Sequence, residues 1–244
     1  MKVVITAGGT SEYIDKVRKI TNSGTGKLGA KIADAIASTQ VANEIYYIHT
    51  PKAILPHISL ALQNGVKVYD IEIVNTNDLK EAVEKILTEN KIDWFIHSMA
   101  VSDYYVSSVT TAGNMASDIR GNDNIEDIIK NPRTVLDNAN KLSSSEDNLV
   151  IVLKQTPKII GLIKKLSPET HLVGFKLLEG VTKEYLIEIA TKLMKKNSCD
   201  YVVANDLRDI KNGEHKALLL DNNGGIKKME GKEKIAEEIV NLMK

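Results

Sequence analysis

The sequence predicts an α/β fold in which helices cover both faces of a mostly parallel sheet. Two observations predict it. Short β-branched apolar runs recur at residues 3–6, 44–49, 66–70, 92–97, 150–153, 171–175 and 200–204. Most are unbroken in polarity, as strands buried on both faces are. Amphipathic segments alternate with them, which implies βαβ units. Residues 27–38 carry Leu28, Ile32, Ala35 and Ile36 on one helical face. Residues 77–88 offer Asn77 as an N-cap and Leu79, Ala82, Val83, Ile86 and Leu87 as a stripe, and 181–196 and 232–243 are similarly amphipathic.

Two stretches depart from this alternation. Residues 17–21 read as a loop between the first strand and the first helix. Residues 106–148 are rich in Ser, Thr, Asn and Asp, with one short helical piece near 125–130. A connection of that length is usually functional, so a protruding arm or flap is expected. Near the C-terminus, Asp221-Asn222-Asn223-Gly224 separates two short apolar runs, a hairpin signal. With no internal repeat or low-complexity linker, residues 1–244 are expected to form a single domain.

Composition narrows the function. The 244 residues are 43% hydrophobic and 26% charged, an ordinary globular balance. Lys+Arg and Asp+Glu are both 32, so the zero net charge argues against a general nucleic-acid or anionic-membrane binder. No apolar run reaches ~18 residues, the length of a membrane span, and the first apolar run passes directly into glycines rather than forming a signal peptide. A cytoplasmic protein is expected. The one cysteine, Cys199, excludes an internal disulfide, and none of the five histidines has metal-ligand spacing. No metal-ligating residues are assigned.

Several motifs lie where strands should end, the place where open α/β sheets bind ligands. Thr6-Ala7-Gly8-Gly9-Thr10 closes the first strand, and its glycines allow close backbone approach to a ligand or simply a tight turn. In the stretch 21–29, Gly24, Gly26 and Gly29 literally match a dinucleotide fingerprint. The context fails: the motif does not directly follow a strand, and the second strand ends in His49-Thr50 where a ribose-binding acid belongs. A Walker loop fails too, because Leu28 follows Gly26-Lys27 and Thr21 stands where its first glycine should be. What survives is a Ser/Gly-rich loop opening a helix, whose N-terminus attracts anions.

Met99-Ala100-Val101-Ser102-Asp103-Tyr104 follows the fourth predicted strand, and Asp103 suits a ribose or base donor or an ordinary turn. Lys154-Gln155-Thr156-Pro157-Lys158 ends a strand, with Pro157 placed for a first helical position. Phe175 ends another strand, as a base-stacking or a core residue. Lys192, Lys195 and Lys196 crowd a helix C-terminus, where cations complement the dipole without any ligand. Lys141-Leu142-Ser143-Ser144-Ser145 has no apolar period to anchor it and is expected to be mobile.

Taken in order, these segments resemble the phosphopantothenate–cysteine ligase family. The resemblance rests on residues 5–10, 17–29, 100–104, 141–144, 154–157, 173–175 and 204–206. Each match is weak alone and the ordered set is specific. It implies a three-layer, Rossmann-like fold. It also implies a ligase that activates 4′-phosphopantothenate with CTP (or ATP) and Mg²⁺ and then joins it to L-cysteine. By resemblance, Asn22 holds the acyl intermediate and Lys141 on a mobile loop neutralises charge during activation. Gly8, Gly9, Gly24, Gly26 and Lys27 cradle phosphate; Ala100, Asp103, Gln155, Thr156, Pro157 and Phe175 contact the nucleotide; Lys192 and Lys196 reach the triphosphate. Lys176-Leu177-Leu178-Glu179 departs from the small residues common after the Phe in bacterial relatives. Bacterial members typically use CTP. A homodimer joined through the arm is expected, as is a stand-alone ligase, since the chain starts at the ligase's first strand. The competing classes are an NAD(P)-dependent oxidoreductase and a non-catalytic nucleotide-binding protein. The oxidoreductase would want a Tyr-x-x-x-Lys pair, but Ser108 stands four positions after Tyr104.

Overall fold

The computed structural model describes residues 1–120, 124–146, 148–211 and 215–244. In chain order the first half forms β1 (Lys2–Ala7), β2 (Ser11–Tyr13), β3 (Lys19–Thr21), α1 (Lys27–Thr39), β4 (Glu44–His49), α2 (Ile58–Gln63), β5 (Lys67–Glu72), α3 (Thr76–Glu89) and β6 (Trp94–His97). An arm follows, made of β7 (Tyr104–Thr111), α4 (Ala112–Ile119), α5 (Ile125–Lys130) and β8 (Leu149–Gln155). The chain then completes the sheet with α6 (Ile160–Leu166), β9 (His171–Leu178), α7 (Lys183–Asn197), β10 (Tyr201–Asp206), α8 (Leu207–Lys211), β11 (Lys216–Asp221), β12 (Ile226–Glu230) and α9 (Lys232–Leu242).

The central sheet has eight strands in the order β12-β11-β10-β9-β6-β1-β4-β5. From β10 to β5 all neighbours are parallel, while β11 and β12 add the expected antiparallel hairpin at one edge. Successive residues of a strand face opposite sides, so one apolar run feeds two cores. Val3, Ile5, Tyr47 and Ile96 pack with Ile32 and Ile36 of α1 and Ile239 of α9. Val4, Phe95, Leu172 and Val202 pack with Leu79 and Val83 of α3, Ile163 of α6 and Leu186 of α7. This is the predicted three-layer, Rossmann-like α/β fold.

Several local expectations need correction. The run at 150–153 does not join the central sheet. It lies in β8, paired antiparallel with β7 in a separate two-stranded sheet, and no residue of β8 is fully buried. The arm is therefore more ordered than its composition implies, holding β7 and α4 besides the expected α5; its residues 121–123 and 147 lie outside the described residues. The loop expected at 17–21 contains β3, paired with β2. Helix α3 is capped by Asn75 rather than Asn77: Asn75 accepts from the Asp78 N–H, and Asp78 accepts in return from the Asn75 N–H, a capping box. Asn77 instead donates along the helix to Glu81. The carboxylate of Glu12, on β2, accepts from the Thr76 N–H and hydroxyl and ties the β2–β3 hairpin to the start of α3.

Candidate functional site

The chain lays down β1, β4 and β5 toward one edge, then crosses to β6 on the other side of β1. The carboxyl ends of β1 and β6 thus flank the point where strand order reverses, where ligands bind in such sheets. The loops leaving these strands are stitched together. Ala100 N–H donates to the Gly8 carbonyl at 2.9 Å and Thr10 N–H donates to the Ala100 carbonyl at 3.1 Å. Thr10 Oγ1 accepts from the Ser102 N–H at 2.8 Å and lies 2.9 Å from Ser102 Oγ.

The glycine-rich stretch 22–26 lies against this pair. A Cβ at Gly24 would sit 2.4 Å from the Gly8 carbonyl oxygen, and one at Gly9 would sit 2.2 Å from the Asn22 carbonyl oxygen. Both glycines are therefore required by backbone-to-backbone packing, whatever the loop binds. Gly26 has φ +69° at the N-cap of α1, and the helix has neither a side-chain cap nor an acid in its first turn. Lys27 is exposed at this helix start, and the N–H groups of a helix N-terminus can attract an anion.

Asn22 is half-buried, and its Nδ2 donates to the Ala100 carbonyl at 3.2 Å. Gly8, Gly9, Asn22, Gly24, Gly26, Lys27 and Ala100 are thus brought together. Asp103 is exposed, and its carboxylate pairs with the Lys158 ammonium, a partner the motif reading missed although both residues flank strand ends in the sequence. Thr156 is buried and doubly tied: its N–H donates to the Asp103 carbonyl at 3.0 Å and its hydroxyl to the Ser102 carbonyl at 2.5 Å. Those bonds fix Thr156 just past the end of β8, between the loops after β6 and β8. Pro157 does not occupy a first helical position; α6 starts at Ile160. Gln155 and Pro157 are exposed on this segment.

Phe175 does not end its strand. β9 runs on to Leu178 because β10 pairs with it as far as Asp206. Phe175 is half-buried and packs on the core that Leu28 of α1 also touches, one residue beyond the Gly174–His97 pairing. On the opposite face of the sheet, His97 is buried, with Nδ1 3.0 Å from Thr6 Oγ1, and burial pushes its pKa down to about 4. Asp206, in the 204–206 motif, is buried and accepts from the N–H groups of Gly180, Val181 and Arg208. Those N–H groups hold its carboxyl well below the usual range, and it serves to shape the loop after β9.

Two expected groups behave differently. Lys192 and Lys196 lie in the second half of α7, which leaves the carboxyl end of β9 and returns toward the amino end of β10. Within one chain they are carried away from the glycine loops, and Lys192 pairs with Glu188. Lys141 is exposed as expected, but its neighbour Leu142 is buried and anchored, which corrects the expectation of an untethered loop. Leu142 N–H donates to Asp15 Oδ2 at 3.2 Å, and Arg18 donates to the Leu142 carbonyl at 2.9 Å. Sequence spacing gave no signal for this, since Asp15 and Leu142 are 127 positions apart. Cys199 is buried, with its thiol pushed up to about 12 by burial, so no activated nucleophile is present there. Among the described residues there is no cluster of three or more His, Cys, Asp or Glu that would hold a metal ion, and no helix is long and apolar enough to cross a membrane.

Comparison with known proteins gives the family and agrees with the fold. The family model described as the DNA/pantothenate metabolism flavoprotein C-terminal domain matches residues 1–118 and 108–244. The chain is 33% identical over 219 residues to the coenzyme A biosynthesis bifunctional protein CoaBC of Thermococcus kodakarensis, and 29% identical over 253 residues to that of Haemophilus influenzae. Those alignments cover 90% and 99% of this chain but only 44% and 50% of the relatives. Among solved structures, the DNA/pantothenate metabolism flavoprotein from Streptococcus pneumoniae superimposes with a TM-score of 0.80 at 35% identity, covering 100% of this chain and 98% of that one. The chain belongs to the DNA/pantothenate metabolism flavoprotein C-terminal domain family.

Proposed function

We propose that the chain is a ligase joining 4′-phosphopantothenate to L-cysteine, a step of coenzyme A biosynthesis. The substrate carboxylate attacks the α-phosphorus of a nucleoside triphosphate and pyrophosphate leaves, giving an acyl nucleotidylate. The cysteine amine then attacks the acyl carbon, loses a proton, and the nucleoside monophosphate leaves. The observation that carries this reading is the convergence of Gly8, Asn22 and Ala100 at the strand-order reversal, beside the uncapped start of α1. Such a site positions reactants and stabilises charge without a protein nucleophile, which is what acyl transfer through a nucleotidylate needs. The name of the relatives, coenzyme A biosynthesis bifunctional protein, supports a place in the same pathway.

In this reading one Nδ2 hydrogen of Asn22 holds Ala100 and the other serves the acyl carbonyl, since an amide has two N–H donors. The helix start and Lys27 take phosphate, and Asp103, Gln155, Thr156, Pro157 and Phe175 line the nucleotide. CTP is the proposed co-substrate, with Mg²⁺ arriving on its phosphates, since this ion commonly binds through substrate phosphates and water. The proposed partner is a second copy of the chain. The arm leaves Tyr104 51%, Leu153 43% and Val135 51% exposed, and the apolar run of β8 is only half-buried in one protomer. Lys192 and Lys196 would meet a triphosphate only in that assembly.

The test is pyrophosphate release with 4′-phosphopantothenate and Mg²⁺, run with CTP beside ATP. Release in a single turnover without cysteine, and multiple turnovers with it, are expected. No release with either nucleotide overturns the ligase, and reduction of NAD(P)⁺ in its place would establish the oxidoreductase.

A further inference from the structure

One buried carboxylate joins two parts of the molecule that lie far apart in sequence. Asp15 is 1% exposed and sits at the turn of the β2–β3 hairpin. It accepts from the N–H groups of Val17 at 2.9 Å and Arg18 at 2.8 Å, and from Arg18 Nε at 2.7 Å. These bonds are local and shape the turn. The remaining two are not. Asp15 Oδ2 accepts the Leu142 N–H, and the Arg18 guanidinium donates to the Leu142 carbonyl. Both polar groups of one arm residue are thus held by one ion pair on the hairpin, while its side chain is buried. The same hairpin leads through β3 directly into Asn22. The residue before Leu142 is the exposed Lys141.

We propose that Asp15 is a positioning residue: through Arg18 and the Leu142 backbone it fixes the Lys141 loop against the hairpin that carries Asn22. Ionised carboxylate–backbone and carboxylate–guanidinium bonds are stronger than neutral ones and geometrically restrictive. Burial opposes ionisation of Asp15, but the Val17, Arg18 and Leu142 N–H groups and the Arg18 guanidinium hold its carboxyl well below the usual range, so the anchor stays charged at neutral pH. The role rests on the ligase reading given above, in which Lys141 meets charge developing during activation. A side chain on an untethered loop must find that position anew in each turnover, whereas a pinned neighbour leaves only the lysine side chain to adjust.

Asp15→Ala and Asp15→Asn test it with two readouts. The first is trypsin cleavage of the Lys141–Leu142 bond, followed by mass spectrometry. Slow cutting is expected in the unaltered protein, at least tenfold faster cutting in Asp15→Ala, and an intermediate rate in Asp15→Asn, which keeps the side-chain shape and guards against simple misfolding. The second is single-turnover pyrophosphate release. Asp15→Ala should lower the rate at least tenfold with the nucleotide KM changed less than threefold. Combined with Lys141→Gln it should cost little beyond Lys141→Gln alone, because the two act as one unit. Additive losses overturn the positioning role, as does unchanged cleavage of the Lys141–Leu142 bond. Release at the unaltered rate in Asp15→Ala overturns the latch alone. Absence of release from the unaltered protein overturns the ligase reading and the activation role with it.

Discussion

Where β1 meets β6, the chain is joined by its own backbone: Ala100 N–H to Gly8, Thr10 N–H to Ala100, with apolar side chains filling both faces of the sheet below. In the arm, the β7–β8 ladder is supplemented by buried carboxylates that tie its loops. Asp118 accepts from the N–H groups of Arg133 and Thr134 at 2.8 Å each and from the Thr134 hydroxyl at 2.7 Å. Asp15 ties the arm's far end to the hairpin. The contrast explains what each region tolerates. Backbone ladders are indifferent to side-chain identity except where a Cβ would intrude, as at Gly24. A carboxylate anchor depends on one residue and on its charge.

The largest effect should come from the backbone-joined region. Asn22→Ala removes the amide that holds Ala100 and that, in the proposed reaction, meets the acyl carbonyl. Losing one preorganised donor costs ~10²–10³ in rate. Amide formation in a single turnover should fall by that factor while nucleotide binding changes little. A variant with normal turnover and a lowered melting temperature would mean that Asn22 only braces the loop.

Acid should separate the two regions. His97 lies buried in the sheet and its pKa is pushed down to about 4 by burial, from an ordinary value near 6.5. A base whose folded pKa is depressed leaves stability intact above the unfolded value and removes it as pH falls from there toward the folded one. Between pH 6.5 and 4 this group alone withdraws up to ~3 kcal/mol. His215, also lowered by burial, acts in the same direction. The carboxylate anchors of the arm also lose their contribution in acid, but in a lower window, below their ordinary value near 3.8. Thr134 and Arg133 donors hold Asp118 low, and Asp15 is held low as well, so both anchors stay ionised between pH 6.5 and 4. Denaturant midpoints should fall from pH 7 to pH 5, and His97→Gln should flatten part of that slope. Trypsin protection at Lys141 should not weaken in parallel; equal weakening would remove the distinction between the regions.

How much of this was legible follows the same division. The sheet and its helices were readable because burial leaves a period: residues 44–49 match β4 end to end, and the 27–38 stripe became α1. The hairpin was readable from Asn-Gly, where Asp221 now accepts from the Asn223 and Gly225 N–H groups. The run at 150–153 announced burial but not against what, so its place in the arm could not be read. Leu142 could not be read at all: a lone apolar residue among serines has no period, and its anchor lies 127 positions earlier. Among the site residues, the glycine loops and Asn22 assembled because strand ends converge by topology. Lys158 escaped notice because its role depends on where Asp103 lands.

A smaller effect is expected at Lys141 itself. Lys141→Gln keeps the side-chain length and alters an exposed position, so stability should change by less than ~0.5 kcal/mol. Pyrophosphate release should slow at least roughly tenfold, equivalent to ~1.4 kcal/mol in the barrier. Because Leu142 is pinned, trypsin should cut this loop slowly even without ligand. Release at the unaltered rate would make Lys141 a solvated charge.

The smallest effect tests whether the hairpin's other tie belongs with the carboxylate-held region. The β2–β3 hairpin meets α3 through Glu12, which accepts both Thr76 donors next to the Asn75 cap. Asn75→Ala removes the acceptor of the Asp78 N–H and half of the capping box, a loss of about 1 kcal/mol. Asn77→Ala removes only an exposed bond to Glu81 and should stay within ~0.5 kcal/mol. If the two variants are compared by chemical denaturation, Asn75→Ala should shift the midpoint and Asn77→Ala should not. The Asn75 loss should also leave cleavage at Lys141 unchanged, because Glu12 retains both bonds to Thr76 and Asp15 retains its own. Faster cleavage at Lys141 in Asn75→Ala would show instead that the helix cap, the hairpin and the arm move together, and that the boundary drawn between backbone-held and carboxylate-held regions lies in the wrong place.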